Sequence, residues 1–105
     1  MTEQTAIVCR LDALDAAERE RQSALRARLD SALERVEELP DGYLLRYRAD
    51  ASLFIAAAEW ITLERRCCPF LRFGLEWHGQ QPAPSLRLTG DAGVKEFLAA
   101  AVCSC

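Results

Sequence analysis

Two pairs of closely spaced cysteines are the residues in this chain whose types and spacing could do chemistry. Cys67 and Cys68 are adjacent within "ERRCCPFLRF", directly before Pro69, and Cys103 and Cys105 lie in the final residues "VCSC". Thiolates are soft ligands, and they favour copper(I) and comparably soft ions. The sequence therefore predicts binding of a thiophilic ion, such as Hg2+, Cu+ or arsenite, with these four cysteines as candidate ligands.

Glu64 is the fifth candidate, because it precedes Cys67 by one turn on the same face of a predicted helix. It would act as a third ligand or as a partner that orients the thiols. A disulfide between Cys67 and Cys68 would be strained, since adjacent Cα atoms lie ~3.8 Å apart, below the usual range of roughly 4.4–6.8 Å. Because Pro69 ends the helix, we expect both sulfurs to turn toward one accessible point.

Thiol redox catalysis is the first alternative function. A nucleophilic thiol needs a lowered pKa, which a helix N-terminus supplies, whereas Cys67 and Cys68 fall at a predicted helix C-terminus. Arg65 and Arg66 offset this only partly, and no Cys-x-x-Cys spacing occurs. Ion binding is therefore favoured over an enzymatic role, and a thiol redox enzyme or accessory stays open beside a non-catalytic protein-interaction module.

The remaining cysteine and the histidine carry weaker signals. Cys9 lies on the inward side of a predicted strand, and a lone cysteine there is typical of a small apolar core residue. Tetrahedral zinc is not favoured, because the usual Cys-x2-4-Cys pairs are absent and His78 is the one histidine. We therefore place Cys9 in the core and His78 on the surface.

Composition limits the classes of function. The chain has 105 residues, is 50% hydrophobic and carries a formal net charge of −3, which argues against direct nucleic-acid binding because phosphate contacts need an excess of Lys and Arg. No signal peptide or membrane span is predicted, so a cytoplasmic location with reduced thiols is expected.

The hydrophobic periodicity predicts one α+β domain over residues 1–105, built as a two-layer sandwich. Its predicted order is β-α-β-α-β-β-α, with a four-stranded mixed sheet, helices on one face, and the first three strands parallel. The predicted strands are residues 5–11, 42–50, 71–79 and 85–89. The predicted helices are residues 12–39, with an Asp12 or Asp15 cap, 52–68, and a last helix capped by Asp91.

This topology places the two cysteine pairs apart. Cys67 and Cys68 would lie at one sheet edge, and the last helix would carry Cys103 and Cys105 about 15 Å toward the other. One four-cysteine site within a monomer is therefore disfavoured, and a homodimer is one way to build it. The uncovered sheet face is expected to be a solvated polar surface rather than an anion site, and it carries Arg46, Arg48, Arg72, Glu76, His78 and Arg87.

The segment "LERRCCPFLRFGLEW", followed by "LRLTGDAGVKEFL", resembles a small bacterial family of mostly uncharacterised proteins with a Glu-x-x-Cys-Cys-Pro-Phe motif and a Gly-x-x-Gly-x-x-x-Phe pattern. The resemblance covers roughly residues 60–98. It implies a link to mercury-responsive and other heavy-metal-responsive regulators, and it directs attention to Glu64, Cys67 and Cys68 but not to the terminal cysteines. The chain has no recognisable helix-turn-helix, so a regulator is an expected partner rather than its own role.

Overall fold

A computed structural model describes residues 7–100 as an antiparallel four-stranded sheet packed against three helices. The observed element order is α-β-β-α-β-β-α, so the predicted α+β class and the number of strands are confirmed. The elements are α1 Ala16–Ala32, β1 Leu33–Leu39, β2 Gly42–Tyr47, α2 Ser52–Cys67, β3 Arg72–Glu76, β4 Ser85–Thr89 and α3 Val94–Ala100.

The sheet has the strand order β1-β2-β4-β3, and every neighbouring pair is antiparallel. The predicted mixed sheet with three parallel strands is therefore wrong. Leu86 of β4 faces Leu45 of β2 on one side and Leu75 of β3 on the other. The predicted hairpin between the last two strands is confirmed.

The start of the chain accounts for the error in topology. The described part of the predicted first strand, residues 7–11, forms no strand, and the predicted first helix stops at Ala32. Leu33 and Val36 continue the helical spacing of the leucines before them, yet they lie in β1, where Val36 pairs with Leu45. The turn at Pro40 and Asp41 allows β1 to fold back on β2, and this pairing overrides the modest helical propensity of the segment.

Predictions of helix ends depend on local signals, and those for the start of α1 and the end of α2 agree closely with the structure. Asp15 forms the expected capping box with Glu18, with a 2.8 Å bond from the Glu18 N–H to Asp15 Oδ1, and α2 ends one residue before its predicted end. The last helix begins at Val94, not at Asp91, because Gly93 has φ +95° and interrupts helical geometry. Asp91 instead pairs with Arg72.

Two groups of buried side chains fill the space between the helices and the sheet. We call the larger group the main core; it contains Leu25, Leu29, Ala32, Tyr47, Leu53, Ala56, Ala57, Trp60, Leu86 and Leu88. The second core contains Leu14, Cys67, Cys68, Phe70, Leu71 and Val94. All three helices contribute to the same side of the sheet. No helix within residues 7–100 is long and apolar enough to cross a membrane.

Candidate functional site

The end of α2 positions three of the predicted site residues. Pro69 cannot continue a helix, so Cys68 becomes the C-terminal cap and its N–H donates to the Glu64 carbonyl at 2.8 Å. Glu64, Cys67 and Cys68 thus occupy a single turn. Their exposed fractions are 1%, 1% and 0%, so the sulfurs are buried in the second core and not at the accessible point that the sequence predicts.

Cys9 joins this turn from the other end of the sequence. The Arg10 N–H donates to the Cys67 carbonyl at 2.7 Å, which fixes the segment before α1 against the end of α2. The sulfurs of Cys9 and Cys68 lie 3.4 Å apart, in contact but farther than the ~2.05 Å of an S–S bond between them. Both residues are disulfide-bonded, and at this separation they are not bonded to each other, whereas Cys67 is the free thiol among residues 7–100. Cys9 is partly buried against the second core, as expected, but its contact with Cys68 was missed.

Gln22 of α1 lies between the carboxyl of Glu64 and the thiol of Cys67. Its Nε2 lies 2.5 Å from Glu64 Oε2 and 3.7 Å from Cys67 Sγ, and the residue is 2% exposed. Sequence reasoning missed Gln22. The available signal was its position three and seven residues before Leu25 and Leu29, which places a polar residue on the buried stripe of α1. We call Cys9, Gln22, Glu64, Cys67 and Cys68 the thiol site.

Burial changes the protonation of Glu64. Desolvation raises the pKa of this carboxyl to about 7, although the hydrogen bond with Gln22 and the charge of Arg26 act in the opposite direction. Glu64 Oε1 also accepts a contact from Cys68 Sγ at 3.4 Å. Near neutral pH the thiol site therefore contains a carboxyl that can hold or release a proton next to a thiol.

The amide of Gln22 is only half satisfied. Its Nε2 donates to Glu64 Oε2, whereas its Oε1 is buried and has no hydrogen-bond partner within residues 7–100.

The predicted ligands are only partly brought together. Glu64, Cys67 and Cys68 meet as expected, whereas Cys103 and Cys105 lie outside the described residues. Within residues 7–100, no group of three or more His, Cys, Asp or Glu side chains is arranged to hold a metal ion. Among the described cysteines Cys67 is a free thiol, and Cys9 and Cys68, whose sulfurs are in contact, would have to be reduced before they could act as ligands.

The charged residues of the open sheet face are largely paired with one another. Arg46 lies 2.7 Å from Glu37, and Arg87 and His78 each lie 3.7 Å from Glu76. Arg72 bridges Asp41 and Asp91. These pairs agree with the expected solvated polar surface.

A separate apolar cavity of about 430 Å3 lies between the helices and the covered sheet face. Tyr43, Leu45, Tyr47, Trp60 and Leu98 are among its lining residues. Burial raises the pKa of the Tyr47 hydroxyl, so this group stays neutral. The cavity includes none of the thiol site residues, and its lining carries no thiol or other strong nucleophile.

Comparison of the chain with protein-family models, with curated proteins and with solved structures finds no match.

Proposed function

We propose that this protein binds a soft, thiophilic ion through Cys68 and a second thiolate, and that it serves in sequestration, transfer or sensing of Hg2+, Cu+ or arsenite. The observation that carries the proposal is the meeting of Cys9, Cys67 and Cys68 in one place, with the sulfurs of Cys9 and Cys68 3.4 Å apart. Because Cys9 and Cys68 are disulfide-bonded in this structure, the proposal applies to the reduced protein. Soft ions such as copper(I) select sulfur ligands, and two thiolates suffice for an ion that accepts linear coordination. Linear two-thiolate binding suits Hg2+ and Cu+, whereas arsenite forms three bonds and would also need Cys67 or a retained hydroxyl.

Cys9 gives the ion an entry to the buried sulfurs. Cys67 and Cys68 are at most 1% exposed, whereas Cys9 is only partly buried. In the reduced protein an ion would first meet Cys9 and then pass to Cys68, and Cys67 would supply a further thiolate on the side of Gln22. Coordination deprotonates a thiol. Glu64 would orient Cys68 or, as predicted from the sequence, act as a third ligand.

Three earlier expectations stay predictions under this proposal. Cys103 and Cys105 are candidate ligands that the described residues do not test. A heavy-metal-responsive regulator stays the expected partner, on the basis of the family resemblance alone. A cytoplasmic location suits the function, because reduced thiols are needed for coordination.

The test is an ion titration of the fully reduced protein under nitrogen, followed by native mass spectrometry and competition with a chelator of known affinity. Hg2+, Cu+ and arsenite are each used as the probe. We expect one ion per chain and a loss of affinity of at least about 100-fold for Cys68→Ser, because removal of a ligand costs at least as much as removal of an outer-shell partner, which is worth roughly 10–100-fold. Cys9→Ser should lose affinity in the same way.

Matched controls separate the candidate sulfurs. Cys67→Ser removes a thiol with the same degree of burial as Cys68, and Cys103→Ser/Cys105→Ser removes the terminal pair. If Cys9→Ser/Cys68→Ser keeps the stoichiometry and affinity of the wild type for all three probes, the proposal is wrong. If only the terminal variant loses binding, the site lies at the end of the chain and not at α2.

A further inference from the structure

The apolar cavity between the helices and the covered sheet face is large enough for a small molecule. Its volume is about 430 Å3, within the range of roughly 300–1,000 Å3 for ligand sites. Its lining side chains come from all three helices and from β1, β2 and β4. Because every lining residue lies in a helix or a strand, the wall can hold a bound molecule in a defined position.

Aromatic side chains make the cavity suited to an aromatic molecule. Tyr43, Tyr47 and Trp60 line it, and the rings of such side chains pair favourably with another ring in edge-to-face or offset geometry. Leu45 and Leu98 also line it and are only half-buried. A bound ring would therefore cover apolar surface that now contacts solvent, which favours binding.

The charges of the lining favour an uncharged ligand. Arg26 and Asp30 are the charged residues in the lining, and their side chains lie 3.6 Å apart as an ion pair. Burial raises the pKa of the Tyr47 hydroxyl, and the negative charge of Asp30 acts in the same direction, so this hydroxyl stays neutral. A charged ligand would lose its hydration here without meeting an opposite charge that is not already paired.

Trp60 indicates that the ligand needs a hydrogen-bond acceptor. This residue is 6% exposed, and its Nε1 is a buried donor without a hydrogen-bond partner within residues 7–100. Buried tryptophan N–H groups usually have a partner, because a donor left unsatisfied is unfavourable. An oxygen on a bound molecule would provide the partner that Trp60 lacks.

We infer that this cavity binds one small, uncharged aromatic molecule that carries a hydrogen-bond acceptor. The inference goes beyond ion binding and does not rest on it, because no residue of the thiol site lines the cavity. The cavity would bind this molecule without transforming it, since its lining has no strong nucleophile.

Coumarin is a suitable probe, because it is a small, uncharged, bicyclic aromatic molecule with a carbonyl acceptor. Nitrogen–proton correlation NMR spectra of the wild-type protein can follow its titration, and the indole N–H groups of Trp60 and Trp77 give separate signals. We expect the Trp60 signal to shift saturably, with one coumarin bound per chain. The Trp77 signal should stay in place, because Trp77 lies outside the lining and its Nε1 already donates to the Gln81 carbonyl at 2.8 Å.

A charged probe and two variants give the matched comparisons. Coumarin-3-carboxylate should bind at least about 10-fold more weakly than coumarin, because its charge would be desolvated without a free partner. Leu98→Trp places a larger side chain in the lining and should weaken coumarin binding by on the order of 10-fold. Ile55→Trp should retain wild-type affinity, because Ile55 is 68% exposed and outside the lining.

Other results would overturn the inference. These are an unshifted Trp60 signal, a saturable shift of Trp77 in place of Trp60, equal affinity for the two probes, or unchanged affinity in a Leu98→Trp variant whose spectrum shows that it is folded. The wild-type titrations decide the matter even where a variant does not fold. Because they contain no metal ion and use a tryptophan outside the thiol site, their failure is distinguishable from failure of the ion titration.

Discussion

The main core and the thiol site are both buried, but they contain different chemistry. Leu53 and Ala57 of the main core are 0% exposed and apolar, whereas the thiol site buries a carboxyl and an amide next to sulfur. Burying a carboxyl or an unpaired amide oxygen costs free energy that an apolar side chain would not. A region that retains such groups is a candidate for function rather than for stability alone.

The two regions share a boundary but lie at different ends of α2. Leu63, Phe73 and Leu98 pack against both cores. Leu53 and Cys67, by contrast, are separated by about 20 Å along the helix at ~1.5 Å per residue. Substitutions at these two positions should therefore act independently, and each region can be altered without the other.

The largest expected effect comes from the main core. Leu53→Ala should lower the free energy of unfolding by about 3 kcal/mol, because it removes buried methyl groups and leaves a cavity. Urea denaturation of the reduced protein measures this loss. The same variant should bind thiophilic ions with wild-type affinity at temperatures where it remains folded, and a parallel loss of affinity would contradict the separation of the two regions.

The thiol site should make stability depend on pH. Since the folded-state pKa of Glu64 is raised from 4.5 to about 7, the folded protein holds a proton that the unfolded chain has released. The contribution is therefore complete below pH 4.5 and disappears as pH rises through 7, at about 1.4 kcal/mol per unit of pKa difference. We expect the free energy of unfolding to fall by about 2–3 kcal/mol between pH 5 and pH 8.

Glu64→Gln is the variant that isolates this effect. It should remove most of the decline, because an amide does not titrate. Glu59→Gln, on the exposed surface of the same helix, should leave the decline in place. A wild-type stability that rises or stays constant over this interval would show that Glu64 is ionised in the folded protein.

The pair of Gln22 and Glu64 should show strong coupling. Gln22→Leu should cost about 1–3 kcal/mol at pH 5.5, since it leaves a buried carboxyl without its partner. Gln22→Leu/Glu64→Leu removes both polar groups and should be close to the wild type in stability, or more stable. A double-mutant cycle by urea denaturation measures the coupling, and additive losses would mean that the two side chains do not share a hydrogen bond.

The smallest effect is expected on the open sheet face. Glu76→Gln breaks contacts with Arg87 and His78, but these side chains are about half exposed or more and separated by 3.7 Å. Its unfolding free energy should change by less than about 0.5 kcal/mol. A larger loss in thermal or urea unfolding would show that this charged surface contributes more than the geometry indicates.

Several features of the fold could be predicted from the sequence because their signals are local. The capping box at Asp15, the end of α2 near Pro69 and the β3–β4 hairpin all depend on neighbouring residues. The β1–β2 hairpin could not be predicted in the same way, because Leu33 and Val36 fit a helical stripe and become a strand only through pairing with β2. Together with the strand predicted at residues 5–11, of which residues 7–11 form none, this error produced the predicted parallel sheet.

The candidate site likewise combines contacts that are local in sequence, which could be predicted, with long-range contacts, which could not. Glu64, Cys67 and Cys68 are close in sequence, so one helical turn brings them together as predicted. Cys9 and Gln22 approach this turn from 59 and 42 residues away, and nothing in their local spacing indicates a contact. Burial of the two sulfurs likewise follows from long-range packing.

The most direct test of the account is the affinity of the reduced protein for Cu+, measured by chelator competition for the wild type, Cys9→Ser/Cys68→Ser and Leu53→Ala. If the thiol site is the binding site, the double cysteine variant loses at least about 100-fold in affinity while Leu53→Ala retains wild-type affinity despite its lower stability. Equal affinity in the wild type and the double cysteine variant would contradict the account.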